Sequence, residues 1–160
     1  EELFKSIPVW LALLLAPRLN RLNISGFKEK YFTPTVAMLI GASSGIGFII
    51  VETLQDYVFS LQGEQIGLGM MLLIPRFITG ISGHAAWTGI FAYFIGLGGF
   101  YKKGKVFYPL IGWILAASLH GLWNATSGNT MISGGIAIIT FIGFIAYLYK
   151  SSQTFSSQTI

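Results

Sequence analysis

Apolar residues in this chain form long runs that are separated by short polar or basic stretches. Five such runs cover about residues 1–16, 34–54, 70–100, 106–125 and 131–149, and the third starts at either Met70 or Pro75. A helix of about 20 apolar residues crosses the hydrocarbon core of a bilayer. The pattern therefore predicts an all-α fold, a polytopic transmembrane bundle of about five spans. We expect residues 1–150 to form a single transmembrane domain and residues 151–160, rich in Ser, Thr and Gln, to form a polar tail.

The composition supports an integral membrane protein surrounded by a lipid bilayer. Only 10% of the 160 residues are charged, and the mean hydropathy is +0.67, whereas soluble domains carry about 25% charged residues. The absence of cysteine excludes disulfides and thiolate nucleophiles. The net charge of +4 is better explained by cytoplasmic loops than by nucleic-acid binding, so no nucleic-acid partner is expected.

The positions of lysine and arginine predict an orientation. These residues cluster in segments 17–33 and 101–105 and recur at Lys150, whereas segments 55–69 and 126–130 contain neither. Basic loops face the cytoplasm in membrane proteins. The pattern therefore predicts that Glu1 lies on the outer side and Lys150 on the inner side.

Polar residues interrupt four of the apolar segments at a similar depth. At a rise of 1.5 Å per residue they all fall in the predicted outer half of a core about 30 Å thick. These residues are Glu1, Glu2, Glu52, His84, His120 and Asn124. Unsatisfied polar groups are costly inside a bilayer and often serve function. We therefore expect the six side chains to meet in one pocket.

Two pairs of polar residues have spacings that suggest hydrolytic chemistry. His120 and Asn124 are four residues apart and share a helical face, where they could hold a developing oxyanion. Glu1 and Lys5 share a face in the same way, and a lysine would tune a carboxylate that acts as a general base. The simpler interpretations are an interhelical packing bond for the first pair and a solvated helical turn for the second.

The remaining polar residues admit both structural and functional interpretations. Glu52 is the only charged residue between positions 34 and 54, and it could be an interfacial glutamate that faces water. Arg76 and His84 are eight residues apart and lie roughly on one face; we interpret Arg76 as an interfacial anchor or a partner for Asp56. The tryptophans of these spans are interpreted as packing or interface aromatics: Trp87, Trp113 and Trp123.

Four motifs together resemble a known family. The segments EELFK, GIGFIIVETLQDY, RFITGISGH and HGLWN, in this order, resemble the PrsW family of membrane proteases, which is related to the CAAX prenyl proteases and bacteriocin-processing proteases. The residues that match the family motifs are Glu1, Glu2, Lys5, Glu52, His84, His120 and Asn124. The sequence departs from the pattern at Thr53, where many members have asparagine.

The resemblance implies an intramembrane endopeptidase in the cell membrane of a prokaryote, with a membrane protein or peptide as its substrate. The best-known role in the family is cleavage of a membrane-anchored anti-sigma factor on its outer side. Glu1, or alternatively Glu2, would activate a water that His84 or Glu52 orients. His120 and Asn124 would stabilise the oxyanion, with Lys5 and Arg76 in support.

Three alternatives remain open at this stage. A metal-dependent variant would bind Zn²⁺ through His84, His120 and Glu52, although the CAAX relatives suggest a glutamate mechanism without a cofactor. A binding or transport protein would use an outer-facing polar cavity. A scaffold protein would pair its glutamates and histidines without forming a cavity.

Overall fold

The chain folds into a bundle of helices. The computed structural model describes residues 1–21, 32–58, 66–100 and 106–156, and statements on side chains below concern residues 1–16, 32–55, 73–99 and 106–154. The helices are α1 (Glu2–Lys5), α2 (Ile7–Arg21), α3 (Pro34–Glu52), α4 (Ile66–Phe100), α5 (Phe107–Ala125) and α6 (Thr130–Ser156), and a π-helical segment, Thr53–Val58, continues α3. The described residues contain no strand, so the prediction of an all-α bundle is confirmed.

The first apolar run is divided into two helices. α1 ends at Lys5, and the hydroxyl of Ser6 donates a hydrogen bond to the carbonyl oxygen of Leu3 at 2.7 Å. α2 then starts at Ile7, so that Pro8 falls in its first turn, where a missing N–H removes no intrahelical hydrogen bond. The side chains of Glu2 and Lys5 on α1 are buried.

Two of the helices are long and apolar enough to cross a membrane. By length and composition these are Pro34–Gln55 and Thr130–Thr154, within the described part of the chain. The side chain of Thr33 caps the first of them by accepting a hydrogen bond from the Val36 N–H at 3.2 Å. The number of five spans stays a prediction.

α4 is the central helix of the bundle. It contacts every other helix, and its most extensive partner is α3. Its side chains are buried almost without interruption from Gly80 to Gly89, and Trp87, Phe91 and Ile95 are among the largest buried residues. An apolar helix that is buried around much of its circumference is typical of a bundle centre. α4 therefore holds Ser82, His84 and Thr88 inside the protein.

Small residues let α3 approach α4 closely. A Cβ atom on Gly45 would overlap the backbone carbonyl oxygen of His84, and one on Gly41 would overlap the Cβ of Ala92. Helix pairs in membranes commonly use residues of this size at their interfaces. The GASSG segment at positions 41–45 thus sets the distance between α3 and the part of α4 that carries His84.

We expect Gly45→Ala to destabilise the bundle by about 1–3 kcal/mol, because the added methyl group forces two backbones apart. Thermal unfolding of the purified protein in detergent measures the effect. Gly47→Ala is the matched control on the same helix, since a Cβ there would meet nothing within 4 Å. Equal melting temperatures for the two variants would contradict the tight α3–α4 contact.

Several predicted boundaries differ from the observed ones. α4 begins at Ile66 and continues through Pro75, and α6 runs to Ser156, so the first six residues of the predicted tail extend a helix. Ser151 is buried and its hydroxyl lies 2.8 Å from that of Thr35, which ties the end of α6 to the start of α3. The predicted loop 101–105 lies outside the described residues, and the division into domain and tail stays a prediction.

Candidate active site

Lys5 joins the two glutamates of the first motif. Its side chain is fully buried, and its Nζ lies 2.8 Å from Oε1 of Glu2 and 3.2 Å from Oε2 of Glu1. The ammonium group also lies 4.5 Å from the centre of the Phe48 ring on α3, a distance at which a cation is attracted by an aromatic face. The predicted Glu1–Lys5 pair is present, and Glu2 shares the same ammonium group.

His120 on α5 contacts the same two carboxylates. Its Nδ1 lies 3.0 Å from Oε1 of Glu2, and its Nε2 lies 3.6 Å from Oε2 of Glu1. A carboxylate can only accept hydrogen bonds, so the hydrogen shared with Glu2 belongs to Nδ1. Glu2 thereby fixes the orientation of the imidazole and turns its other nitrogen towards Glu1.

Thr88 on α4 completes the contacts of Glu2. Its hydroxyl donates a hydrogen bond to Oε2 of Glu2 at 3.1 Å, and both side chains are buried. Thr88 is not part of any motif that the sequence predicts to be functional. A signal was present, however, because Thr88 follows His84 by four residues and so lies on the same face of the helix.

His84 lies in the centre of an aromatic cluster. The ring is completely buried, and its centroid lies 4.8 Å from that of His120, 5.6 Å from Trp87 and 5.9 Å from Trp123. Neither of its ring nitrogens has a hydrogen-bond partner among the described residues. Buried polar atoms are rarely left unpaired, so these nitrogens are candidates for binding a ligand or water.

The tryptophans of the spans divide into two groups. Trp87 stacks on His120 with centroids 5.1 Å apart and an interplanar angle of 18°, and Trp123 packs against Trp87 at 5.7 Å. Trp113 is exposed on the outside of α5. Two tryptophans thus form part of the wall around the histidines, in agreement with a packing role.

Glu52 and Arg76 form a separate pair beside this cluster. Nη2 of Arg76 lies 3.3 Å from Oε1 of Glu52, and both side chains are partly buried. The guanidinium group also lies 6.0 Å from the Trp123 ring. Arg76 thus has a partner on α3, while the side chain of Asp56, its predicted alternative partner, lies outside the described residues.

Among the predicted site residues, Asn124 lies apart from the cluster of glutamates and histidines. It is exposed near the end of α5, one turn beyond the buried His120. In the described chain, no side-chain hydrogen bond or ion pair joins Asn124 to His120 or to either glutamate of α1. The structure therefore brings together Glu1, Glu2, Lys5, His84 and His120, with Glu52 and Arg76 beside them.

The arrangement does not form a ready metal site. Within the residues that the structure describes, no group of three or more His, Cys, Asp or Glu side chains is arranged to hold a metal ion. In the set His84, His120 and Glu52, Oε1 of Glu52 binds Arg76, while its Oε2 is buried and has no hydrogen-bond partner among the described residues. The carboxylate oxygens nearest the histidines face the ammonium group of Lys5 instead.

Comparison with known proteins identifies the family. Residues 1–149 match the family model described as PrsW family intramembrane metalloprotease. Neither the curated proteins nor the solved structures contain a significant match. The match covers nearly the whole chain, including every residue of the site described above. The chain therefore belongs to the PrsW family and is a membrane-embedded protease.

Proposed function

We propose that this protease hydrolyses peptide bonds of membrane-associated protein substrates with a water molecule that Glu1 activates. The observation that carries the proposal is the convergence of two carboxylates on one ammonium group and one imidazole, with a second imidazole 4.8 Å away. These are the groups that general acid–base hydrolysis requires. Family membership favours this function over the transport and scaffold alternatives.

The two glutamates differ in ways that favour Glu1 as the base. Both oxygens of Glu2 are contacted by protein groups, from Lys5 and His120 on one side and Thr88 on the other, and the side chain is only 3% exposed. The side chain of Glu1 is 47% exposed. A general base must reach a water molecule beside the substrate, and Glu1 has the room for this contact.

The proposed reaction has two steps. Glu1 accepts a proton from water while the water oxygen bonds to the carbonyl carbon of the substrate, whose π electrons move to its oxygen. The tetrahedral intermediate then collapses, the C–N bond breaks, and Glu1 returns the proton to the leaving nitrogen. The products are a carboxylic acid and an amine, and Glu1 is restored.

Donors for the oxyanion come from α5 and α4. Nδ1 of His120 lies 3.0 Å from Glu2, so His120 is the first proposed donor, through a hydrogen on Nε2. Asn124, one turn further along α5, is the second proposed donor. His84, whose nitrogens have no partner among the described residues, is proposed to orient the water. Glu52 is the alternative, through the oxygen that Arg76 does not contact.

The family description implies a metal ion, and the described residues do not fit one as they are arranged. Within the described ranges, no group of three or more His, Cys, Asp or Glu side chains has an arrangement that could hold a metal ion. Lys5 supplies the positive charge that the two carboxylates of α1 share. The proposed steps therefore use only groups of the chain itself, as expected for a glutamate mechanism.

The substrate and the orientation are also proposals. The basic segments at positions 17–33 and 101–105 support a site near the outer face of the cell membrane of a prokaryote. A membrane-anchored anti-sigma factor is the candidate substrate that the resemblance supports. A protease of this family acts within a lipid bilayer, so its substrates are expected to carry at least one membrane span.

Cleavage of a single-span model substrate by the purified chain in lipid vesicles tests the proposal. We expect cleavage by the parent and none by the Glu1→Gln/Glu2→Gln double variant, because the variant has no carboxylate on α1. Glu29→Gln, in the predicted cytoplasmic loop, controls for the loss of an acidic group and should cleave normally. Equal rates for the parent and the double variant would refute the assignment of the base to α1.

The same assay distinguishes the glutamate mechanism from the metal-dependent alternative. We expect the parent to keep its rate after exhaustive chelation, since the proposed base is a carboxylate. Loss of activity on chelation, with recovery on addition of Zn²⁺ alone, would support a metal mechanism. The chelation result is independent of the substitution result.

A further inference from the structure

We propose that Thr88 is a positioning residue that holds Glu2, and that Glu2 in turn holds His120 and Lys5 against the catalytic Glu1. The inference rests on the proposed function, because it assigns a role within the same site. It adds a residue of α4 to the functional groups that the motifs of α1 and α5 supply.

The hydrogen bond of Thr88 differs from those of other hydroxyl residues in the bundle. Thr and Ser hydroxyls in helices usually bond to a carbonyl oxygen of the preceding turn of their own helix. The described residues that do so include Thr79, Ser82, Thr126, Ser133 and Thr140. Thr88 instead donates to a carboxylate on another helix, 86 residues away in the sequence. A purely local role does not account for this contact.

The bond lies entirely inside the protein. Thr88 is 0% exposed and Glu2 is 3% exposed. Gly45 on α3 faces the same position, since a Cβ there would lie 3.0 Å from the Thr88 hydroxyl oxygen. Three helices thus enclose the Thr88–Glu2 bond. A substrate does not reach a fully buried threonine, so that Thr88 acts through Glu2.

Glu2, held by Thr88, in turn fixes the positions of Lys5 and His120. Its Oε1 contacts Lys5 at 2.8 Å and His120 at 3.0 Å, while its Oε2 receives the Thr88 hydrogen bond at 3.1 Å. Without Thr88, Oε2 would lose its donor, and the carboxylate could rotate about its terminal bond. Rotation would move the oxygen that orients His120 and would change the 3.6 Å separation between Nε2 of His120 and Oε2 of Glu1. A change of this size in a catalytic constellation lowers the rate.

The test compares kcat and KM of the full chain in vesicles for the parent, Thr88→Val and Thr88→Ser, with the single-span substrate described above. Valine keeps the shape of threonine and removes the hydroxyl, whereas serine keeps the hydroxyl. We expect Thr88→Val to lower kcat by about 10- to 100-fold with KM unchanged, as for other outer hydrogen-bond partners of functional groups. Thr88→Ser should keep most of the parental kcat.

Thr79→Val is the matched control. Thr79 lies on the same helix, and its hydroxyl bonds to the carbonyl oxygens of Pro75 and Arg76. We expect this variant to retain the parental kcat. If Thr88→Val does not fold, Thr88→Ala supplies the second variant, for which the same loss of kcat at unchanged KM is expected.

A double-mutant cycle of Thr88→Val with Glu2→Gln completes the test. We expect Thr88→Val to lower kcat little further in the Glu2→Gln background, because Thr88 acts through the Glu2 carboxylate, which that variant lacks. Three results would overturn the positioning role and leave the proposed function intact. They are full activity of Thr88→Val, additive losses in the cycle, and equal losses for the valine and serine variants. An inactive parent would overturn the proposed function, and the positioning role with it.

Discussion

Glu1→Gln is expected to lower kcat by about 10²–10⁴-fold, the range that a general base contributes. Glutamine has nearly the same shape as glutamate but does not accept a proton from water. The Glu1 side chain is half-exposed, and Lys5 keeps Glu2 as a partner at 2.8 Å when Glu1 is replaced. The substitution should therefore change the melting temperature little. Single-turnover cleavage of the model substrate measures the rate, and thermal unfolding of the same preparation measures the stability.

Glu2→Gln provides the comparison within the same motif. Glu2 is buried among Lys5, His120 and Thr88, so this substitution should lower the melting temperature as well as kcat. Glu1 would then act as the general base, and Glu2 would hold the neighbouring side chains in position. Parental cleavage by Glu1→Gln together with inactive but stable Glu2→Gln would assign the base to Glu2 instead.

Lys5→Met is expected to destabilise the protein by about 3–5 kcal/mol, the cost of leaving a buried charge without its partner. Methionine fills much of the volume of the lysine stem but cannot neutralise Glu2, which lies 2.8 Å from Nζ and is 3% exposed. Activity should also fall, because the carboxylates of α1 lose the cation that they share. Chemical or thermal unfolding in detergent measures the loss of stability.

Two further variants separate charge from packing in this result. Lys150→Met removes an exposed lysine at the other end of the chain and should have little effect on stability. Lys5→Met combined with Glu2→Gln should recover part of the loss, because the unpaired carboxylate is gone. A Lys5→Met variant as stable as the parent would contradict the role of Lys5 as the partner of Glu2.

Glu2 is the point at which the bundle is joined around the site. Donors from α1, α4 and α5 converge on its two oxygens, and α3 contributes Phe48 against Lys5. A carboxylate inside a membrane bundle is costly unless it is paired, so these contacts stabilise the ionised group. They also fix the relative positions of four helices that the chain order keeps apart.

The sequence by itself determined the fold class and the family. Long apolar runs predict helices, because a lipid environment requires backbone groups to be bonded within each segment. The predicted run 106–125 corresponds closely to α5, Phe107–Ala125. Four motifs in order sufficed for the PrsW resemblance, which the family match confirms. The orientation follows from charge alone and stays a prediction.

The tertiary structure alone decided which polar residues meet. The positions along each span placed Glu52, His84, His120 and Asn124 at a similar depth, but depth does not specify which way a helix face points. Rotation of each helix is set by packing, through close contacts such as Gly45 against His84. This packing directs His84 and His120 inward, pairs Glu52 with Arg76 and leaves Asn124 exposed.

The contact between Thr88 and Glu2 shows the same limit of sequence reasoning. A threonine within an apolar span gives no sign of its partner, because its hydroxyl can bond to its own helix or to another. The spacing from His84 indicates its face, but the carboxylate that it meets lies 86 residues earlier in the sequence. Helix periodicity is a local property that can be read from the sequence. The pairing of distant helices depends on how their surfaces fit, and only the folded structure reveals it.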